Sequence, residues 1–212
     1  MKVAVLGATS TLGKSVVEAA LSRGFEVSAL IPEHKYLPEK SNLKVVVGNY
    51  FHRTDLCEVL NDVKATISCI APTHNAHCED MPYQYVDALR KVRQIMSKGS
   101  GKRLIQLTSY DANGVMDEMP EYYSTTHPNY GKLLREQARD LEMEYLLTRP
   151  IFLDWTLIRV PFIHENPKSN KFIVTGIKPE GRFVDADHLA QFMIEQIDSD
   201  EWLMKSPFVI SE

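Results

Sequence analysis

The sequence lacks long apolar runs, paired cysteines and an excess of basic residues, and each absence excludes a class of protein. There is no run of about 18 apolar residues, so no membrane-spanning helix is expected. The 24 Lys and Arg are outnumbered by 28 Asp and Glu, and the net charge of −4 argues against nucleic acid as a partner. Cys57, Cys69 and Cys78 lack the paired spacing of zinc or redox sites, so a reducing, cytoplasmic location is expected.

What the sequence does contain is a regular alternation of short apolar strands with segments of helical length. Strands that are nearly all apolar are typical of a parallel sheet covered on both faces by helices. We therefore predict an α/β fold, a doubly wound parallel sheet in three layers that forms one domain over residues 1–212 with a small carboxy-terminal substrate region. Strands are predicted at residues 2–6, 25–31, 43–47, 65–70, 103–108, 155–160, 171–175 and 207–210.

Helices are predicted from residue 11 and at residues 83–96, 130–147 and 185–197. Asp55 and Glu58 have the spacing of a capping box and predict the start of a further short helix. The longest loops, at residues 31–42, 72–82, 110–129 and 161–170, all lie on the rim formed by the carboxyl ends of the strands. Because open α/β sheets bind ligands at that rim, the functional site is expected there.

A turn bordered by glycines, residues 7–13, joins the first strand to the first helix. Gly7 allows the tight turn out of the strand, and Gly13 allows the helix to pack closely on the sheet. The free N–H groups and positive end of a helix suit a pyrophosphate. The middle position normally lacks a side chain but here is Ser10, whose hydroxyl would bond a phosphate oxygen or whose Cβ would hold the dinucleotide away. The predicted cofactor contacts of this turn are Gly7, Thr9, Ser10, Thr11, Leu12 and Gly13.

The same residues carry a resemblance to a known family. Residues 5–9, Gly13 and residues 22–27 resemble the start of the atypical short-chain dehydrogenase/reductases, in the NmrA-like and NAD(P)H-binding branch that includes flavin and biliverdin reductases. The resemblance implies a Rossmann fold that binds a nicotinamide dinucleotide. Further matches are spread over the chain at residues 48–49, 107–109, 154–162 and 184–187.

The charge at the end of the second strand bears on which dinucleotide is bound. An acid there would accept hydrogen bonds from the adenosine ribose 2′-hydroxyl, whereas a base would favour a 2′-phosphate. The arginine frequent in the family is replaced by Pro32, no acid stands directly at the strand end, and His34 and Lys35 follow. NADP is therefore the expected cofactor, with NAD as the alternative. The resemblance implies further cofactor contacts at Asn49, Ala71 and Pro72.

The catalytic residues of mainstream relatives are only partly present. The resemblance implies a serine at the end of the fifth strand, which Ser109 matches, and a Tyr-x-x-x-Lys pair on the next helix, which is missing after Ser109. Tyr130 and Lys132 come nearest, but two residues along a helix lie about 200° apart, so they share a substrate only if Tyr130 precedes the helix. Lys132 is also a candidate ribose contact. The nicotinamide is expected to reach toward Ser109 and Pro161.

The function expected from these residues is an NADPH-dependent reductase of a small conjugated or flavin-like substrate. Such a substrate takes hydride directly, so an activated tyrosine is not needed. One alternative is a non-catalytic NmrA-like dinucleotide sensor that acts through a regulatory protein partner. A weaker alternative is an NAD-dependent epimerase or dehydratase. No metal is expected, because the only segment rich in ligand types, residues 74–80, matches no standard spacing.

Overall fold

The computed structural model describes residues 1–70, 82–109, 153–165 and 171–212. Within these ranges, the elements in chain order are β1 (Lys2–Leu6), α1 (Thr11–Ser22), β2 (Glu26–Ile31), β3 (Leu43–Val47), α2 (Arg53–Val59), β4 (Ala65–Ser68), α3 (Pro82–Lys98), β5 (Arg103–Ser109), β6 (Asp154–Val160), β7 (Phe162–His164), β8 (Phe172–Thr175), β9 (Phe183–Asp185), α4 (Ala186–Glu195) and β10 (Phe208–Ser211).

The described strands form a sheet of eight, in the order β3-β2-β1-β4-β5-β6-β10-β8. Seven of them run parallel, as the apolar strands predict, and β8 is antiparallel to β10 at one edge. An antiparallel strand at the edge of an otherwise parallel sheet is common in doubly wound folds. The predicted fold class is therefore confirmed. The helix predicted at residues 130–147 lies outside the described residues.

Side chains that alternate along the strands separate into two apolar cores, one on each face of the sheet. On β1, Val3 and Val5 belong to the core that also contains side chains of α1 and α4, whereas Ala4 and Leu6 belong to the core of α2 and α3. Burial on both faces explains why β1 is apolar at every position after Lys2. The sheet thus holds the amino end of α1 at the carboxyl ends of β1 and β4.

Two short strands were not predicted from the sequence. β7 pairs with β9 in a separate parallel ribbon, in which His164 lies opposite Asp185. Residues 161–170 were expected to be a loop, and that expectation is wrong for residues 162–164. A strand of three residues is too short for an alternating pattern to identify it. Nor does any helix of the described residues combine the length and the apolar character needed to cross a membrane.

Arg103 is a charged residue in the interior of the sheet, where the sequence predicts apolar strands. Its guanidinium donates to the carbonyl oxygens of Gln196 and Asp154, at 2.7 and 3.0 Å, and to Thr156 Oγ1 at 2.7 Å. The side chain is buried, and burial lowers the pKa of the guanidinium from its ordinary value. These bonds tie β5 to β6 and to the carboxyl end of α4.

Replacing Arg103 by Met should lower the free energy of unfolding by about 3 kcal/mol, because bonds from a charged donor contribute roughly 1.5–3 kcal/mol each and their acceptors would stay buried. Urea unfolding followed by tryptophan fluorescence measures the change. Arg90→Met is the matched control, since Arg90 is exposed on α3 and its loss should change stability by no more than about 0.5 kcal/mol. Equal effects of the two substitutions would contradict the role of Arg103.

Candidate functional site

The turn between β1 and α1 has the backbone conformation that its glycines make accessible. Gly7 has a φ of +76°, which side chains other than glycine rarely adopt, and a Cβ at this position would lie 2.8 Å from Ile70 Cγ1. A Cβ on Gly13 would collide with the carbonyl oxygen of Gly7 and would lie 2.8 Å from the Cα of Ala8. The two glycines therefore let the first turn of α1 lie directly on the end of β1, as predicted.

Ser10 is the N-cap of α1, and its hydroxyl is committed to this turn. It accepts a hydrogen bond from the Gly13 N–H at 3.0 Å and donates one to the Gly7 carbonyl oxygen at 2.8 Å. No hydrogen bond among the described residues uses the amides of Thr11 and Leu12. These two donors and the positive end of the helix make this a site for an anionic group.

A cavity of about 780 Å³ runs from the glycine turn to the carboxyl ends of β2 and β3. It lies at the rim where open α/β sheets bind ligands, as the loop positions predict. Basic, acidic and aromatic side chains all contribute to its wall. The predicted cofactor residues that line it are Gly7, Thr9, Ser10, His34, Lys35 and Asn49.

Asp55 organises the part of the cavity that follows β3. Its Oδ2 accepts a hydrogen bond from the Asn49 N–H at 2.7 Å, and Asn49 Oδ1 accepts one from the Phe51 N–H at 2.9 Å. A Cβ on Gly48 would lie 2.7 Å from the Asp55 Cβ, so only glycine lets this carboxylate approach. The pKa of Asp55 is lowered, mainly by the hydrogen bond from the Asn49 N–H. The hydroxyl of Thr54 and the nearby His52 lower it further.

The capping box predicted at Asp55 and Glu58 is wrong. Helix α2 begins at Arg53, with His52 as an N-cap that makes no side-chain bond. Asp55 thus lies within the first turn and points back to the β3 loop, while Glu58 pairs with Lys44 at 3.1 Å. The Asp-x-x-Glu spacing is present in the sequence. No local pattern, however, predicts that Asp55 accepts a hydrogen bond from the loop after β3.

The other predicted site residues fall into three groups. Thr11, Leu12 and Gly13 form the start of α1 beside the cavity rather than in its lining, and Pro161 follows β6 outside that lining. Ser109 ends β5, where its backbone is opposite Val160. Four predicted residues lie outside the described part of the chain: Ala71, Pro72, Tyr130 and Lys132.

A Tyr-x-x-x-Lys spacing does occur in this chain, at Tyr36 and Lys40, but it is not on a helix. The two residues lie in the loop between β2 and β3, and both carboxylate oxygens of Glu18 accept hydrogen bonds from Lys40 Nζ. The geometry by which a lysine activates a tyrosine one helical turn away is therefore not available to them. Within the described ranges, no three His, Cys, Asp or Glu side chains form a group that would hold a metal ion.

Compared with models of protein families, the chain matches the NAD(P)H-binding family over residues 7–200. It belongs to the NAD(P)H-binding family. The cofactor is therefore a nicotinamide dinucleotide, and the resemblance noted in the sequence is confirmed at this level. No curated protein sequence matches the chain.

Three bacterial proteins are among the solved structures of similar fold. Each aligns with this chain over at least 91% of its own length. The oxidoreductase ylbE from Lactococcus lactis has a TM-score of 0.77 at 17% identity, over 100% of this chain and 91% of that one. A proposed epimerase from Bacteroides thetaiotaomicron has a TM-score of 0.78 at 17% identity, over 100% and 97%. A proposed NADH-flavin reductase from Streptococcus pneumoniae has a TM-score of 0.72 at 18% identity, over 100% of both chains. At these identities the likeness establishes the fold.

The residues present fit the cofactor of the NAD(P)H-binding family. A Cβ at Gly7 or Gly13 would collide with the protein itself, so the two glycines let the first turn of α1 lie against the end of β1 with its amides at the rim of the sheet. The amides of Thr11 and Leu12 supply donors for the phosphate oxygens. The cavity beyond them leads past the end of β2, toward which the adenosine half extends in Rossmann proteins.

Gly13→Ala should reduce both stability and dinucleotide affinity, because the added methyl group meets the backbone of Ala8 and displaces the first turn of α1. We expect a loss of about 1–3 kcal/mol in unfolding free energy. Gly24→Ala is the control: its φ of +76° makes alanine unfavourable, but nothing lies within 4 Å. It should cost about 1–2 kcal/mol and leave the dissociation constant unchanged. Calorimetric titration with NADPH separates the two, and equal affinities would contradict the role of Gly13.

Asp55→Asn should lower the melting temperature at pH 7, and the difference from the parent should shrink as the pH falls below the unfolded-state pKa. A carboxylate whose pKa is lowered by folding stabilises the protein above its unfolded-state pKa, about 3.9, and loses that contribution as the pH falls through the folded-state value. Thermal melts from pH 7 to pH 3 measure this. A difference that is the same at every pH would mean that the charge of Asp55 is unimportant.

Proposed function

We propose that this chain is an NADPH-dependent reductase whose substrate is a small planar conjugated molecule such as a flavin. The proposal is supported by family membership, by the basic residues in the turn after β2, and by the sequence after Ser109, which lacks a Tyr-x-x-x-Lys pair. An electron-poor conjugated ring accepts a hydride without an activated tyrosine, so it suits a protein built in this way.

The proposed preference for NADP rests on two basic residues, His34 and Lys35. Both side chains are exposed on the turn after β2 and border the cavity, and neither is within ion-pair distance of a carboxylate among the described residues. The backbone holds this turn in place, since the Lys35 N–H donates to the Pro32 carbonyl oxygen at 3.0 Å. A 2′-phosphate would gain charge-assisted bonds there. Glu33 in the same turn opposes this preference with a single negative charge.

At the other end of the cofactor, the proposed substrate site lies beyond the carboxyl ends of β5 and β6. Ser109 and Val160 are paired at those ends, and Pro161 follows directly, so the backbone brings Ser109 and Pro161 to one part of the rim. A serine hydroxyl there would bond the substrate or the carboxamide and orient the two rings. When bound, reduced nicotinamide would supply a hydride, that is two electrons with one proton, and water would supply the second proton to the reduced substrate.

The double variant His34→Ala/Lys35→Ala should raise the dissociation constant of NADPH roughly tenfold and leave that of NADH unchanged, because two charge-assisted contacts to the 2′-phosphate are lost. Glu33→Gln should tighten NADPH binding. Lys64→Ala is the control. Lys64 is an exposed lysine just before β4, at the amino ends of the strands, whereas the cavity lies at their carboxyl ends. Fluorescence titration of each nucleotide provides the constants. Parallel losses for NADPH and NADH would count against a 2′-phosphate site.

Catalysis is tested by following NADPH absorbance with FMN, riboflavin and a quinone as acceptors. A reductase oxidises NADPH with at least one of them, and Ser109→Ala should lower the rate at saturating cofactor while leaving NADPH affinity nearly unchanged. Tight binding without oxidation by any acceptor would favour the alternative of a dinucleotide sensor with a protein partner. Equal rates for Ser109→Ala and the parent would remove Ser109 from the mechanism.

A further inference from the structure

Two hydroxyl groups on one face of α1 each donate a hydrogen bond to a carboxylate from the carboxy-terminal part of the chain. Thr11 Oγ1 donates to Glu165 Oε1 at 2.7 Å, and Ser15 Oγ donates to Asp187 Oδ1 at 2.7 Å. Thr11 and Ser15 are four residues apart and therefore lie one above the other on the helix. The two bonds are chemically alike, but their positions along the helix differ.

The Thr11 bond lies at the open end of α1, whereas the Ser15 bond lies a full turn further along. Thr11 is the first residue of the helix, and its amide and that of Leu12 are the unused donors of the candidate phosphate site. The first turn of α1 contains no acidic residue of its own. Glu165 thus brings a negative charge to the end of the helix where positive potential is greatest.

Nothing among the described residues ties the Glu165 carboxylate elsewhere. Its single described hydrogen bond is the one from Thr11, no described ion pair includes it, and the side chain is exposed. Its backbone, by contrast, is anchored, because it directly follows β7, which pairs with β9. The carboxylate is therefore held near the helix end by the fold and bound there by one hydrogen bond.

We propose that Glu165 is an internal competitor of the cofactor's diphosphate, a carboxylate that stabilises the open end of α1 and whose negative charge opposes binding of the diphosphate there. Glu165 accepts from the Thr11 hydroxyl, whereas a diphosphate would accept from the amides of Thr11 and Leu12 at the same helix end. Two negative groups so placed repel each other, so binding of a diphosphate is opposed by the charge of Glu165. The residue sets how tightly the cofactor is held. This inference rests on the proposed binding of a dinucleotide at α1.

The test measures binding of ADP and NADPH to Glu165→Gln, Glu165→Ala and the parent by calorimetric titration at low salt. ADP carries the adenosine and the diphosphate but no nicotinamide, so it reports on the helix end without the substrate end of the cofactor. Both variants should bind ADP and NADPH roughly fivefold more tightly than the parent, and the gain should shrink at high salt as charges are screened. Asp187→Asn is the matched control: it neutralises the equivalent carboxylate one turn away and should leave both constants unchanged.

Unchanged or weaker binding by both Glu165 variants would overturn the inference, since a carboxylate that contacts the bound ligand would strengthen binding instead of opposing it. An equal gain in Asp187→Asn would also overturn it, because the effect would then follow net charge and not position. Failure of the parent and every variant to bind ADP or NADPH would overturn the proposed function itself. The two failures are therefore distinguishable.

Discussion

The close approach of α1 to the end of β1 is the contact on which the site depends. Gly13 lies so near Ala8 that no side chain fits between the helix and the turn, and Gly7 supplies the left-handed backbone that starts the turn. With the helix in this position, its first amides and its positive end point to the carboxyl rim of the sheet. A side chain at either glycine would move those donors away from their position beside the cavity.

Carboxylates, more than basic residues, shape the described part of this rim. Asp55 accepts the Asn49 N–H and fixes the loop after β3, and Glu165 accepts the Thr11 hydroxyl at the start of α1. The basic side chains in the described lining of the cavity are those of His34, Lys35 and His52. Affinity for an anionic cofactor in such a site rests mainly on backbone amides, whose positions the packing of the sheet determines.

The sequence was sufficient to predict the parallel sheet and the glycine turn, because both depend on local patterns. The apolar run at residues 3–6 indicates burial on two faces, and Gly7 and Gly13 indicate positions where a side chain would not fit. The role of Asp55 and the Thr11–Glu165 bond could not be predicted in this way. They join residues from elements whose proximity follows from the completed fold, and β7, which positions Glu165, is too short to leave a pattern.

The strand order has a consequence for the making of the protein on the ribosome. β10 comes after every other described element in the chain, yet it lies between β6 and β8, with the Arg159 guanidinium 3.6 Å from the centre of the Phe208 ring. During translation, β8 is therefore made before β10, the strand to which it hydrogen-bonds in this sheet. Until β10 is made, β8 lacks the hydrogen bonds that β10 provides, and an exposed strand edge of this kind favours aggregation.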